Sequence, residues 1–498
     1  MPWSKERLEA VASERLNGAR LIVVANREPY IHVQQEGKIC CLRPASGLTT
    51  ALDPVMRACG GVWVAHGSGD ADRSVVDDRD RVLVPPETEE YALRRIWLSR
   101  QEEQGFYYGF SNETIWPLCH VVYTRPKFNC EDWDVYRRVN QKFADAVLDE
   151  ASDGPAVVFV QDYHFALLPR MLKNARSDLV IAHFWHIPWP NREAFRICPW
   201  QQELLDGLLG NDLLSFQIQH HCNNFLDTVE RGLEAMVDPE HFSVTLGGHV
   251  TRVRPHAISI DPNLAREYLP ADVSAANRQL RLRLGLGDQA LLVGVDRVDY
   301  TKGIPERFRA FDRLLAVHPE WIGNVTFVQV GAPSRVHIAN YRHLTEELMA
   351  LVDEINWRHG RGGWKPIVFL NEHQSPQEIF TLCRIAAACV VSSLHDGMNL
   401  VAKEFIAARD DERGVLVLSR FTGAARELDQ ALLVNPYAVD SFAEVLQAAL
   451  MMPADEQERR MRRMRQQIDD NNVYRWAGSL LSNIGSLVGS DKFAGDTA

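Results

Sequence analysis

Leu291-Leu292-Val293-Gly294-Val295-Asp296-Arg297-Val298-Asp299-Tyr300-Thr301-Lys302-Gly303 is an apolar run that turns abruptly polar. The run Leu291–Val295 is continuous rather than alternating, the pattern of a strand buried on both faces. A helical pattern follows over Pro305–Val317. Strand, charged junction, helix is one half of a right-handed βαβ unit. Arg297 and Lys302 fall in the junction, where open α/β sheets bind ligands. An arginine fork and a lysine point charge can converge on one diphosphate. Taken alone, the two cations also read as solvated surface charges.

The same grammar repeats along the chain. Apolar runs of this kind include Leu21–Ala25, Ala156–Val160, Leu179–Trp185, Val325–Val330, Ile367–Leu370, Cys389–Ser392, Val415–Leu418 and Leu432–Val434. Helical patterns separate them, among them 133–151, 203–209, 341–359, 397–409 and 441–451. The strands form two groups, before about residue 255 and after about 285, with Pro255, Asp261-Pro262 and the polar stretch 270–281 between them. The fold class expected is α/β, with two doubly wound, Rossmann-like domains facing each other across a cleft. Residues 1–260 form the first domain, 261–465 the second, and 466–498 a terminal helix returning to the first. The amphipathic pattern 455–488 reads as one long helix.

Bulk properties exclude several classes. The chain has 498 residues, 46% hydrophobic and 24% charged, as in globular proteins of two or three domains. A net charge of -12 disfavours non-specific nucleic-acid binding. No apolar run is long enough for a bilayer. Residues 1–21 lack the apolar core of a signal peptide, so a cytoplasmic location is expected. The nine cysteines are odd in number and contain no C-x-x-C pair. Reduced core thiols are expected rather than disulfides or zinc.

Further junctions carry candidate chemistry. His395-Asp396-Gly397-Met398-Asn399-Leu400-Val401-Ala402-Lys403-Glu404 follows the strand ending near Ser392. The Gly397-Met398 step is expected to start a helix whose first amides and dipole suit a diphosphate. Glu404 would then lie about two turns, or about 12 Å, beyond Asp396. Asp396 would face a transferred sugar and Glu404 a ribose diol; the plainer reading is an N-cap Asp and a surface Glu. Asp162-Tyr163-His164 and His183-Phe184-Trp185-His186 end two other strands. Asn26-Arg27-Glu28-Pro29 ends the first, followed by the small-residue loop Pro44-Ala45-Ser46-Gly47-Leu48 and by Gly60-Gly61. Such loops let backbone amides approach a phosphate, and they also serve as plain turns. Arg335 is one more cation after a strand. The Arg/Met run 458–465 is a solvated helix face.

In this order the motifs resemble the trehalose-6-phosphate synthase family of retaining GT-B glycosyltransferases, family GT20. The resemblance spans about Leu21 to Val488. Its most specific strings are Arg297 to Phe308 and Asp396 to Glu404. It implies transfer of glucose from UDP- or ADP-glucose to glucose 6-phosphate, giving α,α-trehalose 6-phosphate with retention. It implies that Arg297 and Lys302 grip the donor diphosphate, and that Asp396 and His186 hold the donor sugar. Ser46 and Gly47 match a glycine pair over the donor. Leu400, Val401, Ala402, Lys403 and Glu404 line the nucleotide. Arg27, Tyr107, Trp116, Asp162 and Arg335 form the acceptor pocket, with Arg27 and Arg335 on the phosphate. Attack would come from the face the leaving group departs, with that phosphate helping to deprotonate the acceptor. No metal or further cofactor is implied, no nucleic-acid or membrane partner is expected, self-association stays open, and osmoprotection is the role the family suggests.

The chain departs from the family pattern at Ser46, where glycine is usual, and at Gln374, where an aromatic residue near the base is expected. Asn26-Arg27-Glu28-Pro29-Tyr30 is similar to the glucosylglycerol-phosphate synthases, which use ADP-glucose and glycerol 3-phosphate. Pro333-Ser334-Arg335 and His186-Ile187-Pro188 are similar to the trehalose branch. A glycoside hydrolase would need two facing carboxylates and no diphosphate grip. A non-catalytic sugar-phosphate sensor could dispense with Arg297, Lys302, Asp396 and Glu404, all of which are present.

Overall fold

The computed structural model describes residues 3–44 and 47–488. It divides into two compact units: Met1–Ile258 with Val473–Ala498, and Ser259–Asn472. Ser46 lies outside the described residues.

In the first unit, the strands are β1 (Arg20–Arg27), β2 (Ile31–Gln35), β3 (Lys38–Leu42), β4 (Val62–His66), β5 (Arg81–Val84), β6 (Tyr91–Ile96), β7 (Ala156–Gln161), β8 (Val180–Trp185), β9 (Leu213–Phe216), β10 (Met236–Asp238), β11 (Ser243–Leu246) and β12 (His249–Pro255). Ten form one sheet in the order β10-β11-β12-β9-β8-β7-β1-β4-β6-β5, and β2–β3 is a separate hairpin. From β12 to β6 every pairing is parallel. The central strands are buried along almost their whole length, as both-face coverage by helices requires. Chain direction across the sheet reverses between β1 and β7, the topological switch point.

The second unit holds β13 (Ala290–Arg297), β14 (Val325–Ala332), β15 (Ile367–Leu370), β16 (Ala388–Val391), β17 (Val415–Ser419) and β18 (Leu432–Val434). All pairings are parallel, in the order β15-β14-β13-β16-β17-β18. This is the 3-2-1-4-5-6 order of a Rossmann sheet, with its switch point between β13 and β16. Phe308, Phe311, Leu314 and Leu315 of the helix Ile304–Val317 pack on Phe327 and Val325 beneath that point.

The long terminal helix expected over 455–488 is two helices, Ala454–Asp470 and Val473–Val488. They break at Asn471-Asn472, where the Asn472 amide side chain bonds the Asp469 carbonyl and competes with the helix ladder. The first stays with the second unit: Arg465 donates to the carbonyls of Ile406 and Ala407, at 3.2 Å each. The second packs on the first unit, with Trp476 edge-on to Phe184 at 5.2 Å. No helix among the described residues is long and apolar enough to cross a membrane. All nine cysteines are unpaired; Cys119, Cys198, Cys222, Cys383 and Cys389 are buried, whereas Cys41 and Cys130 are exposed.

Candidate functional site

In the second unit the candidate residues gather at the switch point. Arg297 ends β13, and the chain then makes a tight turn over Tyr300–Lys302 into the helix Ile304–Val317. Gly303 permits this turn. Its φ is +61°, and a Cβ there would stand 2.2 Å from the Ser392 carbonyl oxygen. The Leu394 amide donates to the Thr301 carbonyl at 2.8 Å, tying this turn to the loop after β16. Lys302 Nζ lies 2.6 Å from Asp396 Oδ2. Ser393 Oγ and Asn399 Nδ2 donate to the same oxygen, at 3.1 and 3.3 Å. Two groups expected to meet different parts of a ligand are thus each other's partners.

The helix expected to start at Gly397 starts instead at Leu400. Asn399 is its N-cap, at φ +83°, with Oδ1 accepting from the Ala402 amide at 3.1 Å. Asn takes this left-handed conformation more readily than other side chains and satisfies the third amide itself. The amides of Leu400 and Val401 open the helix beside Asp396. Glu404 is therefore one turn into the helix, about 6 Å along the axis from Leu400. Burial pushes its carboxyl up to about 7. The Lys403 side chain is buried and its Nζ lies 2.6 Å from Glu427, so only its backbone can line a nucleotide. Gln374 is also buried, accepting from Arg283 at 3.3 Å and donating to Glu372 at 2.9 Å.

Arg335 is not a surface cation. It is 8% exposed, has φ +49°, and donates to Asp299 Oδ2 at 3.2 Å. Its guanidinium lies 5.4 Å from the centre of the Tyr341 ring. Beneath the Lys302 turn, Arg307 is fully buried and bonds Asp296 (2.7 Å), Gln329 (2.6 Å) and Ser392 Oγ (2.9 Å). Ser392 Oγ in turn donates to the Gly303 carbonyl at 2.8 Å. This network fixes the turn, and sequence reading assigned it no role. The signal was available: a charged residue on the apolar stripe of Ile304, Phe308 and Phe311 requires a buried partner.

In the first unit, Arg27 ends β1 and donates to the Tyr107 hydroxyl at 3.2 Å. Tyr107 lies on a π-helix over Gln104–Ile115, a form with no simple sequence signature and a common one at functional sites. Arg27 and Tyr107 line a depression with Asn26, Glu28, Ser68 and Tyr108. Under it, Glu28 accepts from the Ser68 amide (2.8 Å) and from Arg95 (2.8 Å), and Arg95 also holds Asp72 (2.9 Å). Burial, with Asp72 close by, pushes the Glu28 carboxyl up to about 7. Trp116 is packed against His120 and Tyr163 and does not line the depression.

Asp162 follows β7 at φ +67° and accepts from the His186 amide at 3.2 Å. His186 follows β8, with Nε2 2.9 Å from Gln161 Oε1. An amide oxygen only accepts, so Nε2 carries the proton and Nδ1 the lone pair. Burial holds His186 down to about 3, so it is neutral near pH 7. Gly47 opens the helix Gly47–Cys59. Among the described residues no three His, Cys, Asp or Glu side chains gather as a metal-holding group.

Residues 19–486 match the family model Glycosyltransferase family 20. The chain is 40% identical over 473 residues to a trehalose-6-phosphate synthase of Mycobacterium avium, covering 92% of this chain and 94% of that one. It is 37% identical to the Mycobacterium leprae trehalose-6-phosphate synthase, covering 96% and 97%. Among solved structures, trehalose-6-phosphate from E. coli bound with UDP-2-fluoro glucose superposes with a TM-score of 0.83 at 32% identity, covering 94% of this chain and 99% of that one. The UDP-forming α,α-trehalose-phosphate synthase from Burkholderia xenovorans, in complex with glucose-6-phosphate, gives a TM-score of 0.83 at 32% identity, covering 94% and 100%.

Proposed function

The chain belongs to glycosyltransferase family 20, with the GT-B fold, and on that premise we propose that it transfers glucose from UDP-glucose to glucose 6-phosphate. The product is α,α-trehalose 6-phosphate, formed with retention, and UDP leaves. The observation that carries this reading is the pairing of Lys302 with Asp396 beside Arg297, at the switch point of an all-parallel sheet. Cations fixed there stabilise the charge that grows on a leaving diphosphate more than they stabilise the ground state.

The roles follow residue by residue. Arg297 and Lys302 hold the donor diphosphate, with the first amides of the helix at Leu400 and Val401. Gly47, at the start of the helix Gly47–Cys59, serves the donor together with Ser46. Glu404 accepts from the ribose diol, and the backbone of Ala402 and Lys403 lines the nucleotide. Asp396 and His186 accept hydrogen bonds from the glucose hydroxyls. In the first unit Arg27, Tyr107 and Asp162 serve the acceptor, with Trp116 packed behind them. In the second, Arg335 serves its phosphate. As the family resemblance implies, attack and departure share one face, and the leaving phosphate takes the acceptor proton.

UDP is the nucleotide in this proposal because the E. coli and Burkholderia relatives are described with UDP. The trehalose-6-phosphate synthases named above, one of them in complex with glucose-6-phosphate, do not favour the glycerol 3-phosphate alternative. A cytoplasmic location, where free thiols stay reduced, completes the proposal. The test is to incubate the protein with UDP-glucose and glucose 6-phosphate and resolve the product by NMR. An α,α-linked disaccharide phosphate supports the reading; a β linkage, or free glucose alone, refutes it.

A further inference from the structure

Asp299 is fully buried in the second unit and takes no part in the chemistry proposed above. Its Oδ2 receives Arg335 Nη1 at 3.2 Å and stands 4.0 Å from Arg297 Nη2. The Tyr341 hydroxyl donates to that oxygen at 3.3 Å. Its Oδ1 accepts from both the amide and the hydroxyl of Thr301, at 3.0 Å each. One carboxylate is therefore clamped at one oxygen by the Lys302 turn and offers the other to two arginines.

The two arginines are assigned to different substrates, Arg297 to the donor diphosphate and Arg335 to the acceptor phosphate. They differ in burial. The Arg297 side chain is 37% exposed and that of Arg335 3%. Burial alone would push the Asp299 carboxyl up, but Arg335 and then Arg297 outweigh it, so it stays below the usual carboxylate range and is ionised at all working pH. A buried anion held by the amide and the hydroxyl of Thr301 is a fixed reference point for both guanidiniums. Guanidinium forks deliver their specificity only when their plane is held.

We propose that Asp299 is a shared positioning residue that sets the donor-phosphate arginine and the acceptor-phosphate arginine together, so that one side chain tunes the affinity for both substrates. This rests on the proposed roles of Arg297 and Arg335. Asp299→Asn keeps an oxygen for the Thr301 amide but removes the charge the arginines share. The expected result is a rise of about 10- to 100-fold in KM for both UDP-glucose and glucose 6-phosphate, the loss typical of a charge-assisted contact. In double-mutant cycles, Asp299→Asn adds little to the acceptor KM of Arg335→Ala and little to the donor KM of Arg297→Ala. If Asp299→Asn does not fold, Asp299→Glu, which displaces the charge by one methylene, shows the same paired rise.

A melting temperature that falls while both KM values hold, or a rise confined to one substrate, overturns the proposal. The single arginine variants separate this from failure of the underlying reading. If Arg297→Ala leaves both kcat and the donor KM unchanged, or Arg335→Ala leaves the acceptor KM unchanged, the assignments themselves are wrong. If both shift as assigned and Asp299→Asn moves neither or only one, the assignments stand and the shared role falls.

Discussion

Lys302 and Asp396 meet at 2.6 Å, joining the turn after β13 to the loop after β16. Both side chains are 14% exposed, so the pair is poised at the surface of the switch point rather than sealed in the core. An ammonium held this way can turn to a diphosphate without new desolvation, which in the proposed roles frees Asp396 for a sugar hydroxyl. Lys302→Ala should lower kcat about 10²- to 10³-fold, the usual loss for one fixed transition-state donor. Arg297→Ala should do the same. The melting temperature should hold in both, and single-turnover kinetics would check the kcat loss. Near-normal turnover in both variants would sink the assignment.

Glu404 offers a proton count. Its carboxyl is raised from 4.5 to about 7 by burial, so the folded protein holds a proton there that the unfolded chain has lost. The stability this group contributes is full below about pH 4.5 and is lost as pH rises through about 7. Glu404→Gln should therefore melt higher than the parent above pH 7 and nearly match it near pH 4.5. A ribose diol needs the carboxylate as acceptor, so UDP binding near pH 7 should release a proton. Calorimetry in buffers of different ionisation enthalpy reads this directly, and an unchanged proton count would contradict the ribose role.

Gln161 sets the His186 tautomer. With Nε2–H on the Gln161 amide oxygen, Nδ1 is left to accept from a sugar hydroxyl. Gln161→Leu removes that constraint and should cost activity about tenfold, the scale of one lost hydrogen bond. Gln161→Glu places a carboxylate beside the ring and should raise the His186 pKa from about 3. Nitrogen-15 NMR of the ring should show the Nε2-protonated form in the parent protein and mixed tautomers in Gln161→Leu. A parent ring protonated on Nδ1 would rule this arrangement out.

Arg307 is structural in effect. It is the buried partner of Asp296 at 2.7 Å, and burial already pushes that carboxyl up against the pull of Arg307. Arg307→Met leaves Asp296 without its cation and should cost about 3–5 kcal/mol. Denaturant unfolding would measure it. A loss below about 1 kcal/mol would mean that Asp296 is protonated or otherwise served.

Much of the fold was legible because parallel strands announce themselves. Runs such as Leu291–Val295 and Val415–Leu418 have no polar face to confuse their period. What sequence alone could not supply was backbone detail. Asn399 at φ +83° starts the second-unit helix three residues later than the Gly397-Met398 step suggested. The break at Asn471-Asn472 is a side-chain-to-backbone competition that an amphipathic period does not register. The π-helix carrying Tyr107 has no hydrophobic period of its own. At the site, the charged residues of the junctions were readable but their partners were not. Asp299 and Arg307 act through contacts 36 and 85 residues away, to Arg335 and Ser392, which only the folded chain brings close.

The most direct test of the proposed function is a matrix of kcat/KM values, crossing UDP-, ADP- and GDP-glucose with glucose 6-phosphate and glycerol 3-phosphate, with each product identified. The predicted result is highest kcat/KM for UDP-glucose with glucose 6-phosphate, giving α,α-trehalose 6-phosphate. Highest kcat/KM for ADP-glucose with glycerol 3-phosphate, or no transfer from any donor, would contradict it.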